Sequence, residues 1–231
     1  MQLPFIVNVR RQPVFPSGLT PDEHGLVALG GRLTPEIILE AYTKGIFPWT
    51  GEHPIPWFSP DPRLILRPGE LAVHRSLRQT LRRGHLRVRF DASFPAMMSL
   101  CATTPRPEQD GTWILPNMIR AWVDLHQMGF AHSVEVYEGE ALVGGLYGMA
   151  IGGAFFGESM CAQVRDASKV ALVALCARLV ELDFDFIDCQ QETDHLKRMG
   201  AVAVPRADYL KRVHDATHAP ARWSPPLPPH L

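Results

Sequence analysis

At 231 residues, with 46% hydrophobic and 20% charged residues, the chain can bury a sizeable core as one large domain or two small ones, which excludes an intrinsically disordered polypeptide. Its formal net charge of −1 excludes the overall basic signature of a general nucleic-acid binder. No apolar run reaches membrane-spanning length, and the start lacks a basic segment followed by an apolar signal core, so a soluble chain that is not exported is expected. The four cysteines, Cys101, Cys161, Cys176 and Cys189, form no C-x-x-C pair, which fits reduced thiols in the cytosol rather than a zinc site or a disulfide framework. None of the ten histidines falls in an H-E-x-x-H spacing, and no metal is expected.

Taken in order, residues 1 to about 20 read as irregular, interrupted by Pro4, Pro13 and Pro16. A helix follows, with Thr34 as cap, Pro35 at the first helical position, Glu36 at the positive end and Gly45 closing the far end. Ile46-Phe47-Pro48-Trp49 then makes a rigid aromatic turn, and a proline-rich loop through Pro54, Pro56, Pro60 and Pro62 leads to the strand Leu64-Ile65-Leu66. Next comes a basic segment in which Arg75, Arg78, Arg82, Arg83, Arg87 and Arg89 fall within fifteen residues, joined by His74 and His85. Arg75, Arg78 and Arg82 recur at helical spacing and form one positive stripe, which suits either a solvated helix face or a track for phosphates. A strand is expected from Leu86 to Phe90, then a helix from about Asn117 to Met128 with Met118, Trp122 and Leu125 on one face.

The second half alternates differently. Runs from Ala131 to Tyr137, Ala141 to Ala150 and Ala154 to Gly157, broken by Glu138-Gly139-Glu140 and Ile151-Gly152-Gly153, predict an antiparallel meander. Asp166 then caps a helix carrying Leu172, Leu175, Cys176, Leu179 and Leu182 on one face. A strand from Phe184 to Gln190 and a short helix ending near Gly200 complete a sheet with helices packed on it, an α+β fold. The proline-rich run from about Ala219 to Leu231 is expected to lie extended on the surface, and there is no internal repeat.

The most informative pairing is Phe155-Phe156-Gly157-Glu158-Ser159-Met160 with Phe186-Ile187-Asp188-Cys189-Gln190. It brings Glu158, Asp188 and Gln190 onto what read as neighbouring strands. In an extended segment Asp188 and Gln190 leave the same face, continuing a row begun by Phe184 and Phe186. A carboxylate continuing an aromatic row is costly to bury without partners, so Asp188 is expected where the core opens into a pocket. The plain alternative is a strand end meeting solvent.

Taken together, these segments resemble the leucyl/phenylalanyl-tRNA–protein transferases. The matching stretches run collinearly from about residue 15 to residue 210. They are 25–36 (Gly25 to Glu36), 41–49 (Ala41 to Trp49), 57–63 (Trp57 to Arg63), Thr112-Trp113-Ile114, 131–135 (Ala131 to Glu135), 142–148 (Leu142 to Gly148), Gly157-Glu158-Ser159-Met160, Ala167-Ser168-Lys169 and Ile187-Asp188-Cys189-Gln190. The resemblance implies a small N-terminal α/β lobe over residues 1–63, a C-terminal acetyltransferase-like (GNAT-like) mixed sheet flanked by helices over 64–218, and the tail from 219. It implies transfer of Leu, Phe or Met from charged tRNA to proteins beginning with Arg or Lys, marking them for degradation by the N-end rule in the cytoplasm, with no cofactor, no membrane and a monomeric chain. It assigns Asp188, Gln190 and Glu158 to catalysis, and Trp49, Trp113 and Tyr42 to the terminal adenosine. Leu146, Phe155, Met160, Leu175 and Leu179 would line the aminoacyl pocket, and Arg75, Arg78, Arg82 and Arg83 would meet the tRNA. By the same resemblance, Gln190 would bond the attacking amine while Asp188 draws positive charge from it, directly or through the acceptor, and Glu158 helps hold the aminoacyl end.

The chain departs from relatives at Cys161-Ala162, where an aromatic and Ser are common, and at Leu175 and Leu179, which replace Phe in some of them. These changes bear on the shape of the pocket. Three other readings compete: a tRNA-dependent transferase for acidic N-termini, an acetyl-CoA-dependent N-acetyltransferase, and a non-catalytic RNA-binding protein. The second would need a Q/R-x-x-G-x-G/A loop, and no Gly here has Gln or Arg three residues before it.

Overall fold

A computed structural model describes residues 4–11, 13–105 and 111–223. Its elements are β1 (Phe5–Val7), β2 (Leu26–Gly30), α1 (Pro35–Thr43), β3 (Phe47–Pro48), β4 (Pro56–Phe58), β5 (Arg63–Leu66), α2 (Arg75–Arg83), β6 (Leu86–Phe90), α3 (Phe94–Thr103), α4 (Pro116–Gln127), β7 (Ala131–Glu138), β8 (Ala141–Ile151), β9 (Ala154–Ala162), α5 (Ala167–Glu181), β10 (Phe186–Gln190), α6 (Asp194–Arg198), β11 (Val202–Val204) and α7 (Arg206–Thr217). They build an α+β fold on two sheets, one ordered β1-β2-β4-β3 and one ordered β11-β5-β10-β9-β8-β7-β6.

Local chemistry explains why α1 sits where it does. Thr34 Oγ1 accepts from the Ile37 amide at 3.5 Å, Pro35 opens the helix, and Gly45 ends it at φ 69°. A Cβ on Gly45 would lie 2.6 Å from Leu210 and 2.8 Å from Tyr209, so this turn also lets α7 come close.

Apolar side chains fill both faces of the larger sheet. One cluster joins Tyr42, Trp122, Phe156, Phe186 and Tyr209 from α1, α4, β9, β10 and α7. The other joins Leu146, Phe155, Leu172, Leu175, Leu179 and Ile187 beneath α5. Strand alternation sends Phe155 to the α5 cluster and Phe156 to the opposite one.

β9 and β10 are parallel neighbours connected through α5, and their pairing covers only Phe186↔Ala154, Ile187↔Phe155 and Asp188↔Phe156. Each strand carries an irregularity just beyond. On β9 the register against β8 steps from Gly157 to Ser159, which leaves Glu158 as an inserted residue; on β10 the register against β5 steps from Asp188 to Gln190, which leaves Cys189 inserted. Bulges end pairing and re-aim side chains, and here two of them open a wedge between the strands.

Several expectations need correction. The irregular start contains β1, parallel to β2, because proline is tolerated at a sheet edge even where it forbids a helix. Asp166 makes no capping bond; it is left-handed at φ 66°, and its carboxylate accepts from Thr80 and Lys169, each at 2.9 Å. Phe184 precedes β10 and packs in the α5 cluster, whereas Phe186 joins the opposite one, so the two do not form one row. The tail is not wholly superficial: Trp223 is buried, stacked on His132 with centroids 4.4 Å apart, while 224–231 lie outside the described residues. No helix among the described residues is long and apolar enough to cross a membrane.

Candidate active site

At the mouth of the wedge, Glu158 is, among the described residues, the acid that faces both of the cavities meeting there. Its Oε1 accepts from Tyr42 Oη at 2.6 Å and from Gln190 Nε2 at 3.0 Å. The residue is 9% exposed, and burial pushes its pKa up to about 8, reinforced by the nearby Asp188 carboxylate and opposed by the Tyr42 and Gln190 donors and by Arg63. This carboxyl therefore titrates near neutral pH, where a solvated glutamate is already ionised.

Asp188 has a different situation. Its carboxylate is fully buried and accepts four bonds: from Arg63 Nε at 2.8 Å and Nη2 at 2.7 Å, from Tyr209 Oη at 2.7 Å, and from the Gln190 amide at 2.9 Å. Arg63 is equally buried, lies between the rings of Phe47 and Tyr209 at 4.6 and 4.5 Å, and donates to the Gly45 carbonyl. Asp188 lines neither cavity, and its lone pairs are directed at four protein donors. The expectation that Asp188 and Gln190 leave the sheet together gives way because the inserted Cys189 and the left-handed Gln190, φ 61°, turn the second side chain towards Glu158. Such a backbone costs a non-glycine residue on the order of 1–3 kcal/mol, and the Asp188 carboxylate holding the Gln190 amide offsets part of it.

One cavity, of about 220 Å³, is apolar and is walled by Leu146, Phe155, Met160 and Leu175, four of the five residues expected for an aminoacyl pocket. Leu179 does not line it; fully buried, it lies in the cluster beneath. Leu172, Ile187, Cys189 and Leu196 complete the apolar wall. A Cβ on Gly148 would sit 2.6 Å from the Phe155 ring, so glycine there makes room for that ring in the cavity wall. The second cavity, of about 270 Å³, is lined by Phe47, Trp49, Trp113, Gln191 and Thr193. Glu158, Cys189 and Gln190 belong to both.

Trp49 is 40% exposed, its ring tilted against Phe58 with centroids 5.3 Å apart, and Trp113 is half-buried. Tyr42 is a correction: its ring is fully buried, edge-on to Trp122 and Phe156, and offers no free face for a base. Burial pushes the Cys189 thiol up, away from the thiolate form. Among the described residues no group of three or more His, Cys, Asp or Glu is placed to hold a metal.

On α2, Arg75, Arg78, Arg82 and Arg83 are exposed and, among the described residues, take part in no ion pair, while Leu77 anchors the helix. Sequence reasoning gave Arg63 and Tyr209 no role. A lone Arg heading the apolar run Leu64-Ile65-Leu66 and a lone Asp within another apolar strand were a usable signal, since buried opposite charges must find each other.

A profile of the family described as leucyl/phenylalanyl-tRNA protein transferase matches residues 65–214, and one of its N-terminal domain matches residues 31–61. The chain belongs to this family. A leucyl/phenylalanyl-tRNA–protein transferase of Anaeromyxobacter sp. (strain Fw109-5) is 52% identical over 222 residues, 94% of each chain. One of Nitratidesulfovibrio vulgaris (strain DP4) is 52% identical over 210 residues, 90% of each, and one of Myxococcus xanthus (strain DK1622) is 48% identical over 219 residues, 94% of each. The family match covers both cavities and every residue of the Glu158–Gln190–Asp188–Arg63 network except Arg63, which falls between the two matched segments.

Proposed function

We propose that this chain moves Leu, Phe or Met from charged tRNA to the N-terminal amino group of proteins beginning with Arg or Lys. The observation that carries this reading is the meeting of an apolar cavity and a tryptophan-lined cavity at Glu158 and Gln190. An aminoacyl ester laid across that junction has its side chain in one cavity and its terminal adenosine in the other, with the ester carbon beside the Glu158–Gln190 pair. Trp49 and Trp113 would stack on the adenosine, and the α2 arginines would follow the acceptor stem.

The ester is already activated, so the protein has to orient the amine and manage its proton. The acceptor α-amine has a reference pKa of about 7.7–8.0, close to the value of about 8 for Glu158, and matched groups pass a proton with little penalty. As the amine nitrogen bonds the carbonyl carbon, an electron pair moves onto the carbonyl oxygen and the Glu158 carboxylate takes the ammonium proton. Collapse breaks the carbon–oxygen bond, and that proton goes to the departing ribose oxygen. Because Gln190 Nε2 donates to Glu158, its side-chain carbonyl is left to accept from the amine. Asp188 and Arg63 hold this arrangement from behind as positioning residues.

Residues 1–63 and 64–218 act in this reading as two lobes clasped by Arg63, in a monomeric cytoplasmic enzyme that marks proteins for degradation. The test mixes labelled leucyl-tRNA with peptides beginning Arg, Lys, Asp or Ala, with and without ribonuclease, and repeats it with Gln190→Ala. Label on the Arg and Lys peptides alone, lost in both controls, supports the proposal. Equal label on the Ala peptide, or label on the Asp peptide only, overturns the acceptor assignment.

A further inference from the structure

Tyr42 sits on α1, in a different part of the chain from the acid it touches. Its hydroxyl reaches Glu158 Oε1 at 2.6 Å while its ring is locked edge-on between Trp122 and Phe156, at 6.4 and 5.2 Å. With no exposed surface, this phenol has a single orientation and, among the described residues, a single hydrogen-bond partner.

We propose that Tyr42 is a positioning residue for the proton-carrying carboxyl: its hydroxyl fixes which oxygen of Glu158 faces the cleft and sets the pH at which that carboxyl releases its proton. It rests on the reading of Glu158 as the group that handles the amine's proton. Oε1 is occupied by the donors of Tyr42 and Gln190, so Oε2 is the oxygen left for the reacting atoms. A donor aimed at a carboxylate favours the charged form, and in a buried site that preference is strong because water cannot replace the donor. The other groups facing Glu158 are Arg63 from β5 and Asp188, Cys189 and Gln190 from β10, with Tyr209 of α7 one step behind through Asp188. Arg63 and Asp188 oppose each other as a neutralised pair, which leaves Tyr42 as the largest single influence holding the acid against its burial.

The test is a titration of the full chain without tRNA. Glutamate carboxyls carrying ¹³C are followed by NMR from about pH 5 to 10, and Glu158→Gln identifies the signal of interest by its loss. In the parent that signal is expected to titrate near 8. Tyr42→Phe keeps the ring and removes the donor, so the midpoint should rise by roughly one pH unit. Replacing Tyr42 with 3-fluorotyrosine strengthens the donor and should lower it, an opposite displacement that loss of folding cannot imitate. In steady-state transfer, Tyr42→Phe should reduce kcat and move its pH profile in the same sense, with KM for charged tRNA little changed. A midpoint unmoved in both variants overturns the proposal. So does a higher KM with unchanged kcat and pH profile, the pattern expected if Tyr42 served only to hold the adenosine. Since the titration uses no substrate, failure of the transferase reading would leave its outcome legible.

Discussion

Arg63 and Asp188 meet through two hydrogen bonds, 2.8 and 2.7 Å, with neither side chain exposed to solvent. Arg63 heads β5 and touches the Gly45 carbonyl and the Phe47 ring, so this one pair joins the N-terminal sheet to β10 and, through Tyr209, to α7. Asp188→Asn leaves a guanidinium buried without its charge partner and is expected to destabilise the chain by about 3–5 kcal/mol. The double variant Arg63→Met/Asp188→Leu should lose much less than the two single changes summed, while transfer stays low because the Gln190 amide has lost its anchor. Urea unfolding of the parent, Asp188→Asn, Arg63→Met, Asp188→Leu and the double variant checks the two statements on stability, and transfer assays check the third.

Glu158 makes stability depend on pH in a definite direction. Its pKa is about 8 in the folded chain against 4.5 as an ordinary glutamate, so between these values the folded state holds a proton that the unfolded state has released. The stability is fully present below 4.5, declines as pH rises towards 8, and then levels off. The decline contributed by this group is at most about 1.4 kcal/mol per pH unit. Glu158→Gln should abolish it and become progressively more stable relative to the parent from about pH 5 to 8, measured by urea unfolding across that window. A parallel offset at every pH would contradict the assignment.

Trp223 supports the apolar cavity from outside it. Its ring lies 6.0 Å from Phe155, which lines the cavity, and 6.3 Å from Phe184. Trp223→Ala should cost about 3–5 kcal/mol in thermal or urea unfolding. It should also let Phe155 settle back and deepen the cavity, raising transfer of Phe relative to Leu. Trp223→Phe should show both effects in weaker form, and an unchanged donor ratio would separate this residue from the pocket.

The exposed arginines of α2 should reveal themselves through salt. Alanine at Arg75, Arg78, Arg82 or Arg83 is expected to weaken binding of charged tRNA and to lower the slope of log K against log salt concentration by about one for each phosphate the helix no longer neutralises. Filter binding between about 50 and 200 mM salt measures it. A slope unaltered by all four changes would leave α2 as a solvated face.

Where a pattern is local, it was legible. Thr34-Pro35-Glu36 and Gly45 framed α1, glycine-bearing breaks separated β7, β8 and β9, and β6 was expected with the bounds it has, but β9 runs on to Ala162 instead of stopping at Gly157 and so takes in Glu158. α3 and α7 were passed over, although Phe94, Met97, Met98 and Cys101 have helical spacing; both helices bury their faces against elements distant in sequence. Asp188 illustrates the limit best, since an acid among aromatic residues announces a special environment without saying whether the partner is substrate or Arg63, 125 positions away.

The sequence by itself determined most of the elements, the family and the chemical types gathered near the site, because capping, turn chemistry and hydrophobic period act over a few residues. Tertiary structure alone decided which carboxyl meets the cleft. Two single-residue insertions, at Glu158 and Cys189, end the pairing of β9 with β10 and send neighbouring acids to opposite surroundings, one into a ring of donors and one to the junction of two cavities. That division depends on how four strands, β5, β8, β9 and β10, register against one another, and register is a property of the assembled sheet.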